Sequence, residues 1–400
     1  MMSGRTYISV LAAAVLLLSG CKNGQEPLSV SVVRSEILRN PDAADLDGLK
    51  GRLKWNYTTG LELKAFLDVA QRYGMDSVSA YVENWYDRMI DTTGAVRTYK
   101  LSNFSTDHVC PGRTLFQLYD MTGKEKYRRA MDTLRRQLSL QPRTPEGGFW
   151  HKKVYPDQMW LDGLYMAQPF YAEYTARYER EELKDSCFRD IVRHFLIVAE
   201  HTFDPQTRLY RHAWDASRSM FWCDPATGQS AHAWGRALGW YCMALVDVLP
   251  WIPEGTAGRD SLLSVLGGIY EVLPEYADPA TGMWYQVLDR PGAAGNYVEA
   301  TCSCMFVYAA LKGTRLGLLP ASLRPWAEES YRKLLKEFVV RDAEGTVSLE
   351  RCCEVAGLGG KDNRRGDYAY YVGERIRSND PKGIGPLIWA ALEMEEDDEK

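Results

Sequence analysis

A short turn motif recurs along the chain, and each copy follows a long stretch of residues with helical spacing. Asp-Pro-Gln-Thr at 204–207 matches Asp-Pro-Ala-Thr at 278–281, and looser copies begin at Asp342 and Glu146. The copies start 58, 74 and 64 residues apart, about the length of one helical hairpin with its loops. Repeated hairpins of this length close into a toroid or stack into a solenoid. No unit has the polar outer face of a solenoid cap, so the sequence predicts an all-α fold, an (α/α)6 barrel made of six hairpins.

Apolar residues recur with helical spacing over most of the chain, and no run alternates as the strands of a half-buried sheet do. The pattern predicts helices at 30–39, 61–73, 77–90, 111–119, 125–140, 164–178, 185–203, 235–249, 261–276, 300–317, 325–339 and 386–394. In a closed barrel the loops that follow the turn motifs lie around one mouth. Polar residues in those loops would then form a single pocket.

The first twenty residues have the pattern of an export signal. Arg5 precedes an apolar run at 8–18, which ends in Leu-Ser-Gly-Cys at 18–21. The run is too short for a membrane span, and its ending resembles a bacterial lipobox, which implies cleavage before Cys21 and lipidation of that residue. We therefore expect an exported lipoprotein of the cell envelope, held at the membrane only by its lipid. An ordinary signal peptide with an incidental cysteine is the alternative. The expected division of the chain is a signal peptide at 1–20, a linker at 21–29 and a single catalytic domain at 30–400.

Composition and charge exclude several classes of function. The net charge of -5 gives no basis for nucleic-acid binding. The eight cysteines after Cys21 show no zinc spacing, and the chain has no phosphate loop, dinucleotide fingerprint or GxSxG elbow, so we expect no metal and no cofactor. Most of these cysteines lie in apolar stretches and are expected to be buried free thiols, with disulfides left open in an oxidising compartment. The 12 Trp and 24 Tyr suit a ring-lined sugar pocket or a large core.

One carboxylate, Asp162, stands inside the apolar stretch 160–170. An Asp at the point where a loop enters a helix is most simply an N-cap, and a catalytic role requires partners. Asp107 is the best candidate, because it lies 55 residues earlier, about one hairpin unit. Two carboxyl groups in one apolar mouth would raise the pKa of one of them and give an acid that donates near neutral pH. For Asp107, a plain carboxylate at a helix start is the alternative.

Arg236 is flanked by Trp234 and Trp240 in a loop that precedes a helix. Its planar guanidinium suits bidentate binding of a substrate carboxylate. A buried structural ion pair is the alternative. Trp160 and Trp240 are candidates for stacking against sugar rings, and otherwise belong to the core.

Six stretches together resemble a known family. They are Trp-Leu-Asp-Gly-Leu-Tyr-Met at 160–166, Arg-His-Ala-Trp-Asp at 211–215, Trp-Gly-Arg-Ala-Leu-Gly-Trp at 234–240, Cys-Glu-Val-Ala-Gly-Leu-Gly-Gly at 353–360, Gly-Asp-Tyr-Ala-Tyr-Tyr at 366–371 and Asn-Asp-Pro-Lys-Gly-Ile-Gly-Pro at 379–386. The chain resembles the unsaturated rhamnogalacturonyl hydrolases, glycoside hydrolase family 105. The resemblance runs from about Trp55 to the C-terminus.

The resemblance implies an (α/α)6 barrel and an unusual hydrolysis. Enzymes of this family remove an unsaturated uronic acid from the non-reducing end of fragments left by polysaccharide lyases, and rhamnose-containing pectin fragments are the expected source. They hydrate the C4–C5 double bond, and the unstable product rearranges and releases the sugar. One carboxyl group protonates C4 and then assists the attack of water at C5.

By the same resemblance, Asp162 corresponds to the general acid/base and Asp107 to the second active-site aspartate. The segment around Asp107 differs in detail, since His108 follows it where the family often has another residue. Arg236 is expected to bind the carboxylate of the unsaturated sugar. The other residues expected to line its subsite are His151, Trp160, His212, Trp240 and, on a looser alignment, Tyr57.

Three alternatives stay open at the level of the sequence. The related unsaturated glucuronyl hydrolases combine the same fold and chemistry with glycosaminoglycan-type fragments, and ulvan-type fragments are also open. A sugar epimerase or isomerase on the same toroid would need a pair of histidines for proton transfer. A non-catalytic glycan-binding lipoprotein would bind without turnover. The sequence does not give the oligomeric state.

Overall fold

The computed structural model describes residues 26–396, so the predicted signal peptide and Cys21 lie outside the described residues. The helices are α1 (Leu28–Arg39), α2 (Tyr57–Tyr73), α3 (Asp76–Met89), α4 (Arg113–Thr122), α5 (Glu125–Leu140), α6 (Leu161–Tyr178), α7 (Glu181–Thr202), α8 (Gly235–Val248), α9 (Arg259–Val272), α10 (Ala300–Arg315), α11 (Arg324–Phe338), α12 (Tyr368–Gly373) and α13 (Pro381–Glu395). The short strands are β1 (Gln158–Trp160), β2 (Phe203–Asp204), β3 (Leu209–Tyr210), β4 (Ala213–Asp215), β5 (Val339–Arg341), β6 (Val347–Leu349), β7 (Cys352–Cys353) and β8 (Ile376–Arg377). They pair into two-stranded antiparallel ribbons, β1 with β4, β2 with β3, β5 with β6 and β7 with β8.

Helices α2, α4, α6, α8, α10 and α13 form a closed inner ring. They pack in chain order, and α13 returns to pack against α2. Helix α4 meets α6 through Phe116 and Phe170, whose ring centroids are 5.3 Å apart. Helices α1, α3, α5, α7, α9 and α11 lie outside, each against an inner helix. The predicted (α/α)6 barrel is therefore confirmed.

Burial distinguishes the two rings. In α8 every residue from 235 to 248 is buried, as expected for a helix surrounded by other helices. The outer helix α5 instead buries a single stripe, formed by Tyr127, Ala130, Met131, Leu134, Gln137 and Leu138. Helices α8 and α10 approach closely at Gly239, where a Cβ would lie 2.7 Å from the Sδ of Met305. A larger residue at this position would therefore push the two helices apart.

The connections at the two ends of the barrel differ in length. Inner helices pass to the next outer helix through short links, of only two residues at 74–75, 123–124 and 179–180. The connections from outer to inner helices are much longer, at 90–112, 141–160, 203–234, 273–299 and 339–380. All inner helices run in the same direction, so their N-termini and the long connections meet at one end, which we call the mouth.

The recurring turn motif is closed by its aspartate. The carboxylate of Asp204 accepts a hydrogen bond from the Oγ1 of Thr207 at 2.9 Å. The carboxylate of Asp278 accepts one from the Oγ1 of Thr281 at 2.7 Å. A further copy, not recognised in the sequence, begins at Asp224 and closes in the same way. These turns lie at the mouth and lead the chain from an outer helix toward the next inner one.

The predicted helix bounds are least accurate at the helix starts. Helix α1 begins at Leu28, inside the predicted linker, and α13 begins at Pro381, five residues before the predicted start at 386. Asp380 caps α13 by accepting a hydrogen bond from the backbone N–H of Lys382 at 2.9 Å, which explains the earlier start. The strands and α12 were not predicted, since they are too short to show a period. All eight cysteines in the described range are free thiols and seven are buried, which confirms the prediction for most of them.

Candidate active site

The predicted site residues gather at the mouth because the inner helices begin there. Tyr57 is the first residue of α2, and Asp162 and Arg236 are the second residues of α6 and α8. Asp107 lies in the 3₁₀ turn Thr106–His108, shortly before α4. Helix N-termini carry partial positive charge, so their convergence favours an anionic group at this end of the barrel.

Asp162 does not cap its helix. Trp160 occupies the cap position of α6, and the carboxylate of Asp162 accepts no hydrogen bond from a described backbone N–H. The N-cap interpretation is therefore wrong, and the acid lies in the first helical turn with its side chain 14% exposed.

A two-stranded ribbon brings His212 to Asp162. Strand β1 pairs with β4 so that Trp160 lies opposite Ala213. Directly beside this pair, the backbone N–H of Leu161 donates to the carbonyl of His212 at 3.1 Å. The Nε2 of His212 then lies 3.3 Å from the Oδ2 of Asp162. The histidine side chain is fully buried.

The charges around Asp162 favour its ionised form. Burial raises its pKa, but His212, His151 and Arg236 together outweigh burial and hold the pKa below the usual range of an aspartate. Before a ligand binds, the group is therefore a carboxylate, prepared to accept a proton.

Asp107 has a separate cationic partner. The Nζ of Lys152 lies 2.5 Å from its Oδ2, and the Nε2 of His151 lies 3.6 Å from its Oδ1. Burial raises the pKa of Asp107, and Lys152 and His151 outweigh burial, so this pKa also lies below its ordinary value. The expectation that the two aspartates raise the pKa of one of them is wrong for the protein without substrate, because Lys152 and His151 lower the pKa of Asp107 and His212, His151 and Arg236 lower that of Asp162.

His151 lies between the two aspartates. Its ring stacks on Trp160 with centroids 4.4 Å apart. Burial lowers the pKa of His151 to about 4, so the ring is neutral at neutral pH. Gly163 makes room for it, since a Cβ there would lie 2.9 Å from the Nδ1 of His151.

Both tryptophans predicted to stack on sugar rings are buried. Trp160 is 5% exposed and also stacks on Tyr155, at 4.9 Å. Trp240 is 1% exposed, stacks on Tyr165 at 4.7 Å and meets the edge of Tyr57 at 6.5 Å. Without a ligand neither presents an open ring face, so a direct stack on a sugar requires a neighbouring ring to move. Their stacking role stays a prediction.

Arg236 is a buried cation at the start of α8. One Nη donates a hydrogen bond to the carbonyl of Cys353, and the guanidinium lies over the ring of Trp234 at 4.6 Å. Its Nε is buried and has no hydrogen-bond partner. No carboxylate in the range 26–396 lies within ion-pair distance of it. The buried structural ion pair considered from the sequence is therefore not formed.

A cavity of about 890 Å³ opens at the mouth. Tyr57 and Asp107 belong to its wall, whereas Asp162, His212 and Arg236 do not. Burial raises the pKa of Tyr57, and the charges of Arg236, Asp107 and Asp162 also act on it. Tyr57 therefore borders both the open cavity and the buried charged residues.

The family model described as Glycosyl Hydrolase Family 88 matches residues 28–397. The chain belongs to this family. A solved structure of a family 105 glycoside hydrolase from C. acetobutylicum is 41% identical, covers 93% of this chain and 100% of that chain, and has a TM-score of 0.87. The unsaturated rhamnogalacturonyl hydrolase YesR of Bacillus subtilis is 28% identical over 275 residues, which are 66% of this chain and 72% of that protein. These findings make the chain a glycosidase of the unsaturated uronyl hydrolase type.

One structural neighbour of this family 88 enzyme is an unsaturated glucuronyl hydrolase, the class of enzyme considered from the sequence as an alternative. An unsaturated glucuronyl hydrolase from Bacillus sp. GL1 has a TM-score of 0.64, covers 92% of this chain and 95% of that chain, and is 14% identical. At that identity the likeness concerns the fold alone. The comparisons therefore do not distinguish rhamnogalacturonyl from glucuronyl substrates.

Sequence reasoning missed three residues around the site of this family 88 enzyme. The hydroxyl of Tyr371 lies 2.7 Å from the Nδ1 of His212. Lys152 pairs with Asp107. Glu299 caps α10 and also accepts the backbone N–H of residue 353, next to Arg236. Two features of the sequence could have indicated these residues. Tyr371 lies in the stretch 366–371 that resembles the family, and Glu299 directly precedes the helix predicted at 300–317.

Two further observations concern the described range as a whole. Among residues 26–396, no three His, Cys, Asp or Glu side chains are grouped so that they could hold a metal ion. In the same range, no helix has both the length and the apolar composition that crossing a membrane requires.

Proposed function

We propose that the enzyme removes a 4,5-unsaturated uronic acid from the non-reducing end of lyase-generated oligosaccharides of the pectin or rhamnogalacturonan type. It does so by hydrating the C4–C5 double bond. Membership of the family supports the unsaturated uronic acid. The resemblance to YesR supports rhamnogalacturonan as the source.

The observation that carries the proposal is a buried cation without a direct ion-pair partner. Arg236 is 1% exposed, and no described carboxylate lies within ion-pair distance of it, while the charges of Asp380 and Glu299 act on it from farther away. A ligand that brings a carboxylate into direct contact with this buried guanidinium would therefore be stabilised here. The Oδ2 of Asp162 and the Nε2 of His212 are also buried and lie 3.3 Å apart, and neither atom has another partner among the described residues. An unsaturated uronic acid supplies the carboxylate for Arg236 and places its double bond toward the acid.

The reaction uses Asp162 twice. Its proton is transferred to C4 of the sugar, and the positive charge that develops at C5 is taken up by the oxygen of an attacking water. The water's proton returns to the carboxylate of Asp162, so the enzyme is regenerated and the sum is the addition of one water molecule. The resulting hemiketal at C5 opens to a ketone when the bond between C5 and the ring oxygen breaks. This leaves a hemiacetal at C1, which collapses to an aldehyde and releases the rest of the oligosaccharide as an alcohol. Binding of the substrate carboxylate at Arg236 offsets one of the charges that lower the pKa of Asp162, and so favours the protonated acid.

The wall of the cavity favours a leaving group with a further acidic unit. Its three carboxylates, Asp47, Asp107 and Glu354, each pair with a cation. Lys54 and Lys153 line the same cavity and have no carboxylate partner among the described residues. Two unpaired cations thus face an open cavity in a protein with a net charge of -5. A rhamnogalacturonan fragment, which alternates uronic acid with neutral sugar, complements this wall.

The test is a turnover assay on lyase-generated fragments of rhamnogalacturonan, homogalacturonan, ulvan and glycosaminoglycans. Loss of the ultraviolet absorbance of the double bond follows the hydration, and mass spectrometry identifies the shortened product. The highest kcat/KM is expected for rhamnogalacturonan fragments. A higher kcat/KM for glycosaminoglycan or ulvan fragments would make the assigned source wrong. If the absorbance stays constant with all four kinds of fragment, the proposed hydration is wrong. Binding of a fragment without turnover would favour the glycan-binding alternative.

The contribution of the two lysines is tested on the same fragments. The double variant Lys54→Ala, Lys153→Ala is expected to raise KM for fragments with a second acidic unit and to leave KM unchanged for an unsaturated disaccharide with a neutral second sugar. Lys336→Ala, at an exposed lysine of α11, is the matched control. An equal rise in KM on both substrates would contradict a role in recognising the second acid.

We also propose that the enzyme is exported and anchored by a lipid on Cys21. The support is the Leu-Ser-Gly-Cys ending of the apolar N-terminal run. Metabolic labelling with a radioactive fatty acid is expected to mark the wild-type protein and not Cys21→Ser. Equal labelling of both, or of neither, would make the anchor wrong.

A further inference from the structure

A buried tyrosine lies behind the pair formed by His212 and Asp162. The hydroxyl of Tyr371 is 2.7 Å from the Nδ1 of His212, on the side of the ring opposite Asp162. Tyr371 is fully buried, and its ring stacks on Trp234 with centroids 5.9 Å apart. The two residues come from connections far apart in the chain, and this hydrogen bond holds the histidine ring from behind.

The direction of this hydrogen bond follows from the donors available. Burial raises the pKa of Tyr371 well above its ordinary value, so the hydroxyl keeps its proton. Among the described residues, the Nδ1 of His212 is the acceptor that this hydroxyl reaches. The hydroxyl therefore donates, and Nδ1 must present a lone pair. A neutral histidine that accepts at Nδ1 carries its proton on Nε2, the atom that faces Asp162.

The two carboxylate oxygens of Asp162 are consequently not equivalent. Oδ2 is buried and lies 3.3 Å from the Nε2 of His212. Oδ1 has no hydrogen-bond partner among the described residues and is not fully buried. The side chain as a whole is 14% exposed. Oδ1 therefore carries the exposure of the side chain and is the oxygen that a substrate could reach.

We propose that Tyr371 is a positioning residue, which fixes the tautomer of His212 so that Oδ2 of Asp162 is held by Nε2–H and Oδ1 alone exchanges the proton with the substrate. This inference rests on the proposed function, because it assigns the atom that performs the acid and base steps. Without the tyrosine, the proton of the imidazole could move to Nδ1. A lone pair would then face the carboxylate, and Asp162 would lose both its orientation and its donor.

The tautomer can be measured without any substrate. Nitrogen-15 NMR of the protein labelled at its 6 histidines, with His212→Gln for assignment, reports which ring nitrogen carries the proton. We expect His212 to be neutral with its proton on Nε2. A proton on Nδ1 in the wild-type protein would overturn the proposal, whatever the activity. In Tyr371→Phe, the signal of the Nδ1–H form is expected to appear.

Kinetics provide the second measurement. Tyr371→Phe is expected to lower kcat by up to about a hundredfold, as misplacement of a reacting group does, while KM stays within about twofold because no contact with the substrate is lost. The alkaline limb of kcat/KM should move to higher pH, since the weakened hydrogen bond no longer holds down the pKa of Asp162. Wild-type kcat with an unshifted limb in this variant would overturn the proposal.

A neighbouring tyrosine provides the matched control. Tyr368 lies on the same helix, and its hydroxyl donates to the carbonyl of Ala294 at 2.9 Å, so Tyr368→Phe should keep wild-type kcat and pH profile. If Tyr371→Phe fails to fold, the NMR measurement of the His212 tautomer in the wild-type protein alone tests the proposal. If the wild-type enzyme acts on no unsaturated uronide, the proposed function fails, and the NMR result still tests the hydrogen-bonded pair.

Discussion

The Nε2 of His212 lies 3.3 Å from the Oδ2 of Asp162, and the histidine reaches this position from a different connection of the barrel. Burial alone would raise the pKa of Asp162, yet His212, which lies within hydrogen-bond reach, together with His151 and Arg236, lowers it. A general acid that is ionised at rest has to gain its proton when the substrate binds. The charge of the substrate therefore takes part in catalysis, and the predictions below for Arg236 and for the pH profiles depend on it.

Replacing Asp162 by Asn removes the proton that is transferred and keeps the shape of the side chain. We expect kcat on an unsaturated disaccharide to fall by about 10²–10⁴-fold, the usual contribution of a positioned acid or base, with an unchanged melting temperature. The measurement is the initial rate of loss of ultraviolet absorbance, with circular dichroism as the control for folding. A kcat within about twofold of wild type would exclude Asp162 as the acid/base.

Replacing Arg236 by Ala removes the proposed partner of the substrate carboxylate. Hydrogen bonds to charged groups contribute about 1.5–3 kcal/mol, so KM is expected to rise by about 10–100-fold. Arg236→Lys keeps the charge but loses the planar fork and should recover only part of the affinity. An unchanged KM in Arg236→Ala would exclude the residue from carboxylate binding.

The pH profiles of kcat and kcat/KM should differ. The rate requires protonated Asp162, so it falls as pH rises through the pKa of that group. The profile of kcat/KM reports the free enzyme, where His212, His151 and Arg236 lower this pKa, and the profile of kcat reports the complex. A bound carboxylate offsets Arg236, so the alkaline limb of kcat is expected at higher pH than that of kcat/KM. Arg236→Ala should bring the two limbs closer together, and coincident limbs in the wild-type enzyme would contradict substrate-driven protonation.

The sequence predicted the barrel because helical spacing marks the helices and a recurring turn motif, such as that at Asp204, marks several of the hairpins. It also placed Asp162 where a loop enters a helix and Arg236 in a loop before a helix. The structure places both in the first turn of an inner helix, and the topology brings them to one end of the barrel. The contact of Asp162 with His212 depends on the register of β1 and β4, strands of three residues that carry no readable period. The depressed pKa of Asp107 depends on Lys152, whose orientation follows from the fold of a long connection. Long-range pairing of short segments is therefore what the sequence could not provide.

A buried carboxyl group away from the mouth predicts how stability depends on pH. Glu36 on α1 is 3% exposed, and burial raises its pKa from 4.5 to about 7, against the opposing charge of Arg39. Between these pH values the folded protein holds a proton that the unfolded chain has released. The free energy of unfolding contributed by this group is therefore fully present below about pH 4.5 and is lost as pH rises through about 7.

Glu36→Gln stays neutral at every pH and should not show this loss. A shift from 4.5 to about 7 corresponds to a difference of about 3 kcal/mol at most. We expect the variant to match the wild type in urea denaturation at pH 5 and to be more stable by about 1–3 kcal/mol at pH 8. Glu254→Gln, at an exposed residue, is the control and should change stability equally at both pH values. A Glu36→Gln variant less stable than wild type at pH 8 would mean that the ionised carboxylate is stabilised in the folded protein, most directly by Arg39, whose Nη2 lies 3.5 Å from its Oε1.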